Sequence, residues 1–284
     1  MKPITKAVFP VGGFGTRFLP ATKSVPKEML TLIDKPLIHY GVEEAIKSGI
    51  DKMILITGRG KRAVADYFDH SYELESLLRF KGKENLIADS NRLSDRATYI
   101  YIRQKNPLGL GHAILRAEPV IEEPFAVVLT DDIIDSAIPV LKQMMDVYNE
   151  TGGSVVAIMK VDKTDISKYG IIEAESQDGT IYKIKRLVEK PDPENAPSDL
   201  AVVGRYILSE SIFEYLKQTN PDKGDEIQLT DAINLMAQNE PVYGFKFSGK
   251  RYDCGSKPGM LEATIDFALK DDALKDTVKR CINR

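Results

Sequence analysis

Short runs of apolar, β-branched residues alternate with helical patterns along the first half of the chain, and this alternation limits the folds that the chain can adopt. Residues 53–57 (MILIT) form a continuous apolar run, which is typical of a strand buried on both faces of a parallel sheet. The rhythm predicts an α/β fold with a Rossmann-like, mostly parallel mixed sheet flanked by helices. The predicted strands are residues 7–10, 53–57, 99–102 and 125–129, and the predicted helices are residues 36–48, 61–80 and 111–117.

The second half of the chain has a less regular pattern. Residues 192–197 are its most loop-like stretch, but they are too few for a linker between independent domains. We therefore expect one domain over residues 1–284, with a mixed second half and a closing helical segment. The strands predicted here are residues 154–161, 170–175, 181–188, 201–208 and 242–247, and the helices are residues 211–217 and 260–269.

The composition excludes several classes of protein. The chain carries 39 Lys and Arg against 42 Asp and Glu, a net charge of −3, which argues against general binding of nucleic acid. Two cysteines, Cys254 and Cys281, are too few for a disulfide framework or a Cys-rich zinc site. The N-terminus lacks the long apolar region of a signal peptide, and no apolar window approaches the length of about eighteen residues that a membrane span needs. We expect reduced thiols, no membrane partner and a cytoplasmic location.

A glycine loop, residues 11–17 (VGGFGTR), follows the first predicted strand. Glycines allow backbone amides to approach a phosphate, but Phe18 stands where a dinucleotide-binding fingerprint needs its third glycine. Three cations follow or end this loop: Arg17, Lys23 and Lys27, in a segment stiffened by two prolines. Such a loop suits a triphosphate, although a solvated basic loop is an equally good reading of these residues alone.

The same segment resembles the sugar-1-phosphate nucleotidyltransferases, and the resemblance continues in the expected order through most of the chain. If it holds, residues up to about 135 bind the nucleotide, residues from about 136 to 255 bind the sugar, and residues from about 256 to 284 form a C-terminal helical segment. The motifs that carry the resemblance are GGFGTRFLPATKSVPKEML from residue 12, IDKPLIHYGVEEA from 33, QKNPLGLGHA from 104, PFAVVLTDDI from 124, YG at 169–170, EKP at 189–191 and YDCG at 252–255.

The resemblance implies a role for individual residues. Gly12 and Gly13 would face the nucleotide through their backbone, while Gln104 and Gly109 would contact the uracil base. Arg17 and Lys27 would hold the β- and γ-phosphates, and Lys190 would align the phosphate of the sugar. The remaining residues assigned to substrate are Asp132, Gly170, Glu189, Val203 and Gly204. His112 lies in the same motif as Gln104, and we expect a hydrogen-bonded structural histidine there, because attack by a phosphate needs no proton removed.

Two carboxylates are implied as ligands of Mg²⁺. Asp131 follows the fourth predicted strand, and Asp253 lies in the YDCG motif. Mg²⁺ is commonly held by one or two carboxylates together with substrate phosphates. Three residues depart from the family pattern: Thr130 where glycine is expected before the two acids, Val11-Gly12 where two alanines are usual, and Phe14 in place of leucine.

The implied reaction joins UTP and glucose 1-phosphate into UDP-glucose and pyrophosphate, with the anionic sugar phosphate as the nucleophile. The alternatives are a sister enzyme with another nucleoside triphosphate or hexose 1-phosphate, a nicotinamide-dependent oxidoreductase, and a non-catalytic homologue that senses nucleotide sugars. The family commonly forms dimers or tetramers, so we expect a homo-oligomer.

Overall fold

A computed structural model describes residues 2–283, which form thirteen strands and ten α-helices. The strands are β1 (Lys6–Val11), β2 (Thr31–Leu32), β3 (Lys35–Pro36), β4 (Lys52–Thr57), β5 (Thr98–Arg103), β6 (Phe125–Val128), β7 (Asp132–Asp135), β8 (Ser154–Lys160), β9 (Gly170–Asp178), β10 (Ile181–Glu189), β11 (Leu200–Leu208), β12 (Val242–Lys246) and β13 (Lys250–Asp253). The helices are α1 (Leu37–Lys47), α2 (Arg62–Asp66), α3 (Tyr72–Phe80), α4 (Ala88–Arg96), α5 (Gly109–Leu115), α6 (Val140–Thr151), α7 (Ile212–Gln218), α8 (Leu229–Ala237), α9 (Lys257–Lys270) and α10 (Lys275–Ile282).

Nine strands form one mixed sheet in the order β5-β4-β1-β6-β11-β8-β12-β10-β9. The first-half strands β5, β4, β1 and β6 are parallel, as the alternation of strands and helices predicts. In the second half β11 runs antiparallel to both β6 and β8, and β9 and β10 form an antiparallel hairpin around Gly179. The predicted mixed α/β fold is therefore confirmed, with its parallel part concentrated in the first half.

The central strands carry apolar residues on both faces. Val8 and Val127 pack into one hydrophobic core, whereas their neighbours Phe9 and Val128 pack into the core on the other side of the sheet. Residues of α5, α7 and α8 cover the first face, and residues of α1 and α6 cover the second. This double burial explains why the strands appear as continuous apolar runs in the sequence.

A third, smaller core joins the antiparallel ribbon of β7 and β13 to the body of the molecule. It contains Ile133 from β7, Tyr252 from β13 and Ala263 from α9, packed with Leu32 and Leu37. The ribbon thereby brings Asp253 next to Asp132 in register, although the two residues are far apart in the chain.

The prediction of one helix over residues 61–80 is wrong. The structure has two helices, α2 and α3, separated by a turn in which Phe68 is buried. At the start of α3 the backbone N–H of Ser71 donates to Glu75 Oε1 at 3.2 Å. The sequence pattern also did not predict α4, α6 and α8.

The sheet is continuous across residue 135, because β11 from the second half lies between β6 and β8. The division near residues 135 and 255 into functional parts stays a prediction. Within residues 2–283, no helix is both long enough and apolar enough to cross a membrane.

Candidate active site

Two cavities open beside the ends of β1, β6 and β11, and they meet at Asp131. The smaller cavity has a volume of about 380 Å³ and the larger one about 860 Å³, and Leu110, Leu129 and Asp131 line both. In open α/β sheets, ligands bind beyond the carboxyl ends of the strands, where these cavities lie. A ligand with two chemically different ends can therefore occupy both cavities and pass Asp131 at its middle.

The glycine loop forms one wall of the smaller cavity. Gly15 has a left-handed φ of 67°, and a Cβ atom there would lie 2.9 Å from Cβ of Lys27, so only glycine fits without a shift. The Thr22 hydroxyl donates to the Gly15 carbonyl at 2.8 Å. This bond holds residues 17–27, the basic segment, against the glycine loop. Gly12, Gly13, Lys27, Gln104 and Gly109 all line this cavity, as their predicted roles require.

Lys27 pairs with Asp131 at the junction of the two cavities. The distance from Lys27 Nζ to Asp131 Oδ2 is 2.7 Å, and each side chain is about one-quarter exposed. Burial opposes charge on both groups, but the pairing outweighs it: Asp131 raises the pKa of Lys27, and Lys27 lowers the pKa of Asp131. Lys27, which is expected to bind the nucleotide phosphates, therefore neutralises Asp131, which is expected to bind the metal.

A second, buried ion pair involves Glu28, the residue that follows Lys27 in the chain. Lys61 Nζ donates to Glu28 Oε2 at 2.7 Å, and both side chains are buried. Burial nevertheless raises the pKa of Glu28 above its ordinary value, with Lys61 opposing the shift. This pair anchors the residue next to Lys27 to the start of α2 and fixes the position of the basic segment.

Asp131 and Asp253, called the acidic pair below, have the carboxylates that a Mg²⁺ site needs. Both carboxylates approach the same point, since a Cβ atom on Gly255 would lie 2.8 Å from Asp131 Oδ2 and 3.1 Å from Asp253 Oδ1. Cys254 N donates to the Asp131 carbonyl at 2.8 Å and holds the two segments together. Two carboxylates suit Mg²⁺, an ion that keeps waters and phosphates as its other ligands.

Asp132 lies in the larger cavity, but protein donors occupy its carboxylate. Gly204 N donates to Asp132 Oδ2 at 2.6 Å, and Arg251 pairs with Oδ1. Arg251 also donates to the Tyr169 hydroxyl at 2.8 Å and lies over its ring. Asp132 therefore holds the cavity wall together, and its predicted contact with substrate stays a prediction. Arg251 was not predicted, because no local pattern indicates its distant partners.

A buried arginine organises the turn that carries Asp131. Arg205 is 1% exposed and donates to the carbonyls of Leu129, Gly204 and Asp132 at 2.9–3.0 Å. Its charge is balanced by Glu44 Oε2, 2.8 Å from Nη2. Sequence reasoning also missed this pair; an arginine inside an otherwise apolar strand pattern (AVVGRYIL) is the one signal that could have revealed it.

The larger cavity contains the other predicted substrate residues. Gly170, Glu189, Lys190, Val203 and Gly204 all line it. Lys190 has a left-handed φ of 43°, which is rare for a residue with a long side chain, and its N–H donates to the Tyr169 carbonyl at 3.0 Å. Its side chain is about half exposed, and Nζ lies 3.2 Å from Glu189 Oε1. The strained backbone aims a cation and a carboxylate into one cavity.

The three cations of the basic segment do not all converge. Arg17 lines the larger cavity, and its Nη1 donates to the Gly255 carbonyl at 3.5 Å, close to the acidic pair. Lys27 lines the smaller cavity. Lys23 instead borders a separate pocket of about 150 Å³ with Arg59. The predicted phosphate site therefore has two of its three cations beside Asp131.

The two adjoining cavities lie at the strand ends of a mixed α/β sheet, with a glycine loop in one and an ion pair at their junction. The sequence pattern of the nucleotidyl transferase family matches residues 6–269, and the chain belongs to that family. The chain is 48% identical over 285 residues to the UTP–glucose-1-phosphate uridylyltransferase of Staphylococcus epidermidis, covering 100% of this chain and 99% of the relative. It is 51% identical over 269 residues to a Bacillus subtilis protein of the same name, covering 94% of this chain and 91% of the relative.

A solved structure supports the same family. A UDP-glucose pyrophosphorylase complexed with UDP-glucose superposes with a TM-score of 0.88 and 47% identity, covering 95% of this chain and 100% of that one. The predicted family and the predicted nucleotidyltransferase class of enzyme are therefore confirmed.

Proposed function

We propose that the protein transfers a uridylyl group from UTP to glucose 1-phosphate, with UDP-glucose and pyrophosphate as products. The observation that carries the proposal is the meeting of the two cavities at Asp131, with Gln104 in one and Glu189 and Lys190 in the other. The relatives named for this activity, at 48–51% identity, support the same assignment. The presence of Arg17, Lys27, Asp131, Lys190 and Asp253 argues against the non-catalytic alternative.

The proposed chemistry needs no covalent enzyme intermediate. The sugar phosphate in the larger cavity attacks the α-phosphorus of UTP in line, and pyrophosphate leaves. Lys190 orients the attacking phosphate, while Arg17 and Lys27 hold the leaving phosphates and offset their growing charge. In this step Lys27 would exchange Asp131 for phosphate oxygens at the cavity junction.

Asp131 and Asp253 would hold Mg²⁺, which supplies positive charge against the phosphate oxygens when it is bound. Treatment with EDTA is expected to stop turnover reversibly, with added Mg²⁺ restoring it, while far-ultraviolet circular dichroism stays unchanged. Full activity in EDTA would contradict the metal assignment.

A matrix of nucleoside triphosphates against sugar 1-phosphates, read by release of pyrophosphate, tests the proposed substrates. We expect the highest kcat/KM for UTP with glucose 1-phosphate. A higher value for dTTP, CTP or ATP, or for another hexose, would favour a sister enzyme instead. Binding of NAD(P)H in the same assay buffer would favour the oxidoreductase.

Two further predictions belong to the proposed function as expectations. A homo-oligomer is expected from the family resemblance, and a cytoplasmic location from the two cysteines and the sequence of the N-terminus. Size-exclusion chromatography with light scattering measures the first, and fractionation of cells that express the protein measures the second.

A further inference from the structure

The Gln104 side chain has one fixed orientation at the edge of the smaller cavity. Its Nε2 atom lies 3.1 Å from the Gly109 carbonyl and 3.0 Å from His112 Nδ1. A carbonyl oxygen can only accept a hydrogen bond, so the atom facing Gly109 must be the amide nitrogen. The two hydrogens of the amide are then both used, one by the carbonyl and one by the ring nitrogen of His112.

This arrangement requires a neutral His112. Nδ1 must accept from the amide, so the ring carries its proton on Nε2. Partial burial, followed by the nearby charge of Arg116, lowers the pKa of His112, which favours the neutral ring near pH 7.

The Gln104 oxygen faces the opposite way, toward the glycine loop. A Cβ atom on Gly12 would lie 2.9 Å from Oε1, and both residues line the smaller cavity. With both amide hydrogens engaged, Gln104 offers the cavity a hydrogen-bond acceptor and no donor.

Contacts with Ile227 fix the backbone that carries Gly109 and His112. Gly109 has a left-handed φ of 90°, and its missing side chain leaves room for Ile227, whose carbonyl lies 2.9 Å from where a Cβ atom would be. Gly111 N donates to the Ile227 carbonyl, and Ile227 N donates to the Leu108 carbonyl, each at 2.8 Å. These bonds fix the start of α5, so Gly109 and His112 form a rigid frame around the amide.

We propose that His112 is a positioning residue for choice of the base: it locks Gln104 with its oxygen toward the nucleotide. The lock selects bases that carry a hydrogen on the ring nitrogen, such as uracil and thymine. Cytosine has a bare ring nitrogen at that position, so two acceptors would face each other without a hydrogen between them. The inference rests on the proposed function, which supplies the pyrimidine nucleotide as ligand.

Nucleotide binding without the sugar phosphate tests the inference directly. Isothermal titration with UTP, dTTP and CTP compares the wild type with His112→Phe, which removes the acceptor, and with His112→Asn, whose side-chain oxygen can replace Nδ1. We expect the ratio of UTP affinity to CTP affinity to fall about fivefold to tenfold in His112→Phe, as for loss of one hydrogen bond. His112→Asn should retain the wild-type ratio, and dTTP should follow UTP in every variant.

A merely structural histidine would give a different result, because UTP and CTP would then weaken together and leave the ratio unchanged in His112→Phe. That outcome, or an equal fall of the ratio in His112→Asn, overturns the inference. If His112→Phe does not fold, as judged by its thermal unfolding, His112→Leu removes the same acceptor with a smaller side chain. Absence of UDP-glucose formation by the wild type would instead contradict the proposed function, which the kcat/KM assay reports separately.

Discussion

At the scale of single residues, the site is made of charges that are neutralised before any substrate arrives. Lys27 is paired with Asp131 and Lys190 with Glu189, each within hydrogen-bond distance or close to it. Glu189 and Lys190 are neighbours in one motif, whereas Lys27 and Asp131 come from separate motifs, 104 positions apart in the chain. The motifs could be predicted because each is a local string of residues; the pairing of Lys27 with Asp131 could not, because it depends on which strand ends the topology brings together.

Replacing Lys190 tests the cation that faces the larger cavity. Lys190→Ala is expected to lower turnover by roughly a hundredfold or more, because a fixed charge that stabilises the transition state is lost. The matched control is Lys160→Ala, which removes an exposed lysine at the end of β8 that pairs with Asp199. The measurement is kcat and KM for glucose 1-phosphate. Near-normal turnover in Lys190→Ala would remove the residue from the proposed mechanism.

His39 gives the protein a predictable sensitivity to acid. Its ring is buried in α1, Nδ1 bonds the Tyr67 hydroxyl at 2.8 Å, and burial followed by the charge of Lys35 lowers its pKa to about 4. The unfolded chain binds the proton more readily, so this contribution to stability is full above the ordinary pKa of 6.5 and falls as the pH drops toward 4.

The expected loss from His39 is about 2 kcal/mol between pH 7 and pH 5. Urea unfolding at both values measures it, and His39→Asn, which cannot titrate, should show a smaller decrease by that amount. An equal decrease in both proteins would show that His39 is protonated in the folded state as easily as in the unfolded one.

At the scale of elements, contacts between residues far apart in the chain determine where helices end and in which direction strands run. Residues 61–80 have a helical pattern, yet they are divided into α2 and α3 by a turn in which Phe68 is buried. The strand pattern of β11 is visible in the sequence, but its antiparallel direction is not, because it follows from the path of the chain after β10. The first-half strands were predictable because parallel, doubly buried strands leave continuous apolar runs.

Arg205 of β11 bonds to Asp132 of β7 and to Glu44 of α1, so its removal is expected to lower the stability of the fold. Arg205→Met should lower the free energy of unfolding by about 3–5 kcal/mol, because it leaves the Glu44 carboxylate of α1 buried without its partner. Urea unfolding measures the change. The double variant Arg205→Met with Glu44→Gln should recover part of the loss, since no unpaired charge remains. A single variant as stable as the wild type would contradict the role of this pair in the fold.

At the scale of the whole molecule, the fold gives the two thiols different environments. Cys254 is buried beside the acidic pair, whereas Cys281 is exposed on α10. Burial, followed by the nearby charge of Asp132, raises the pKa of Cys254 to about 12, so it stays a neutral thiol.

Titration with Ellman's reagent tests the difference. We expect rapid reaction of one thiol per chain in the native protein, assigned to Cys281, and of both thiols in denaturant. Cys281→Ser should then show no rapid reaction while native. Rapid labelling of Cys254 in that variant would mean that the segment around the acidic pair opens readily.

The position of β11 has a practical consequence for anyone who wishes to exchange parts between enzymes of this kind. Because a strand from late in the chain lies between β6 and β8, a chimera joined near residue 135 would have to recreate the contacts of β6 with a foreign strand. A fragment ending there would present an uncovered, apolar strand edge and is expected to aggregate. Exchange of the proposed sugar-binding segments around Gly170 and Lys190 should therefore be made on an intact sheet.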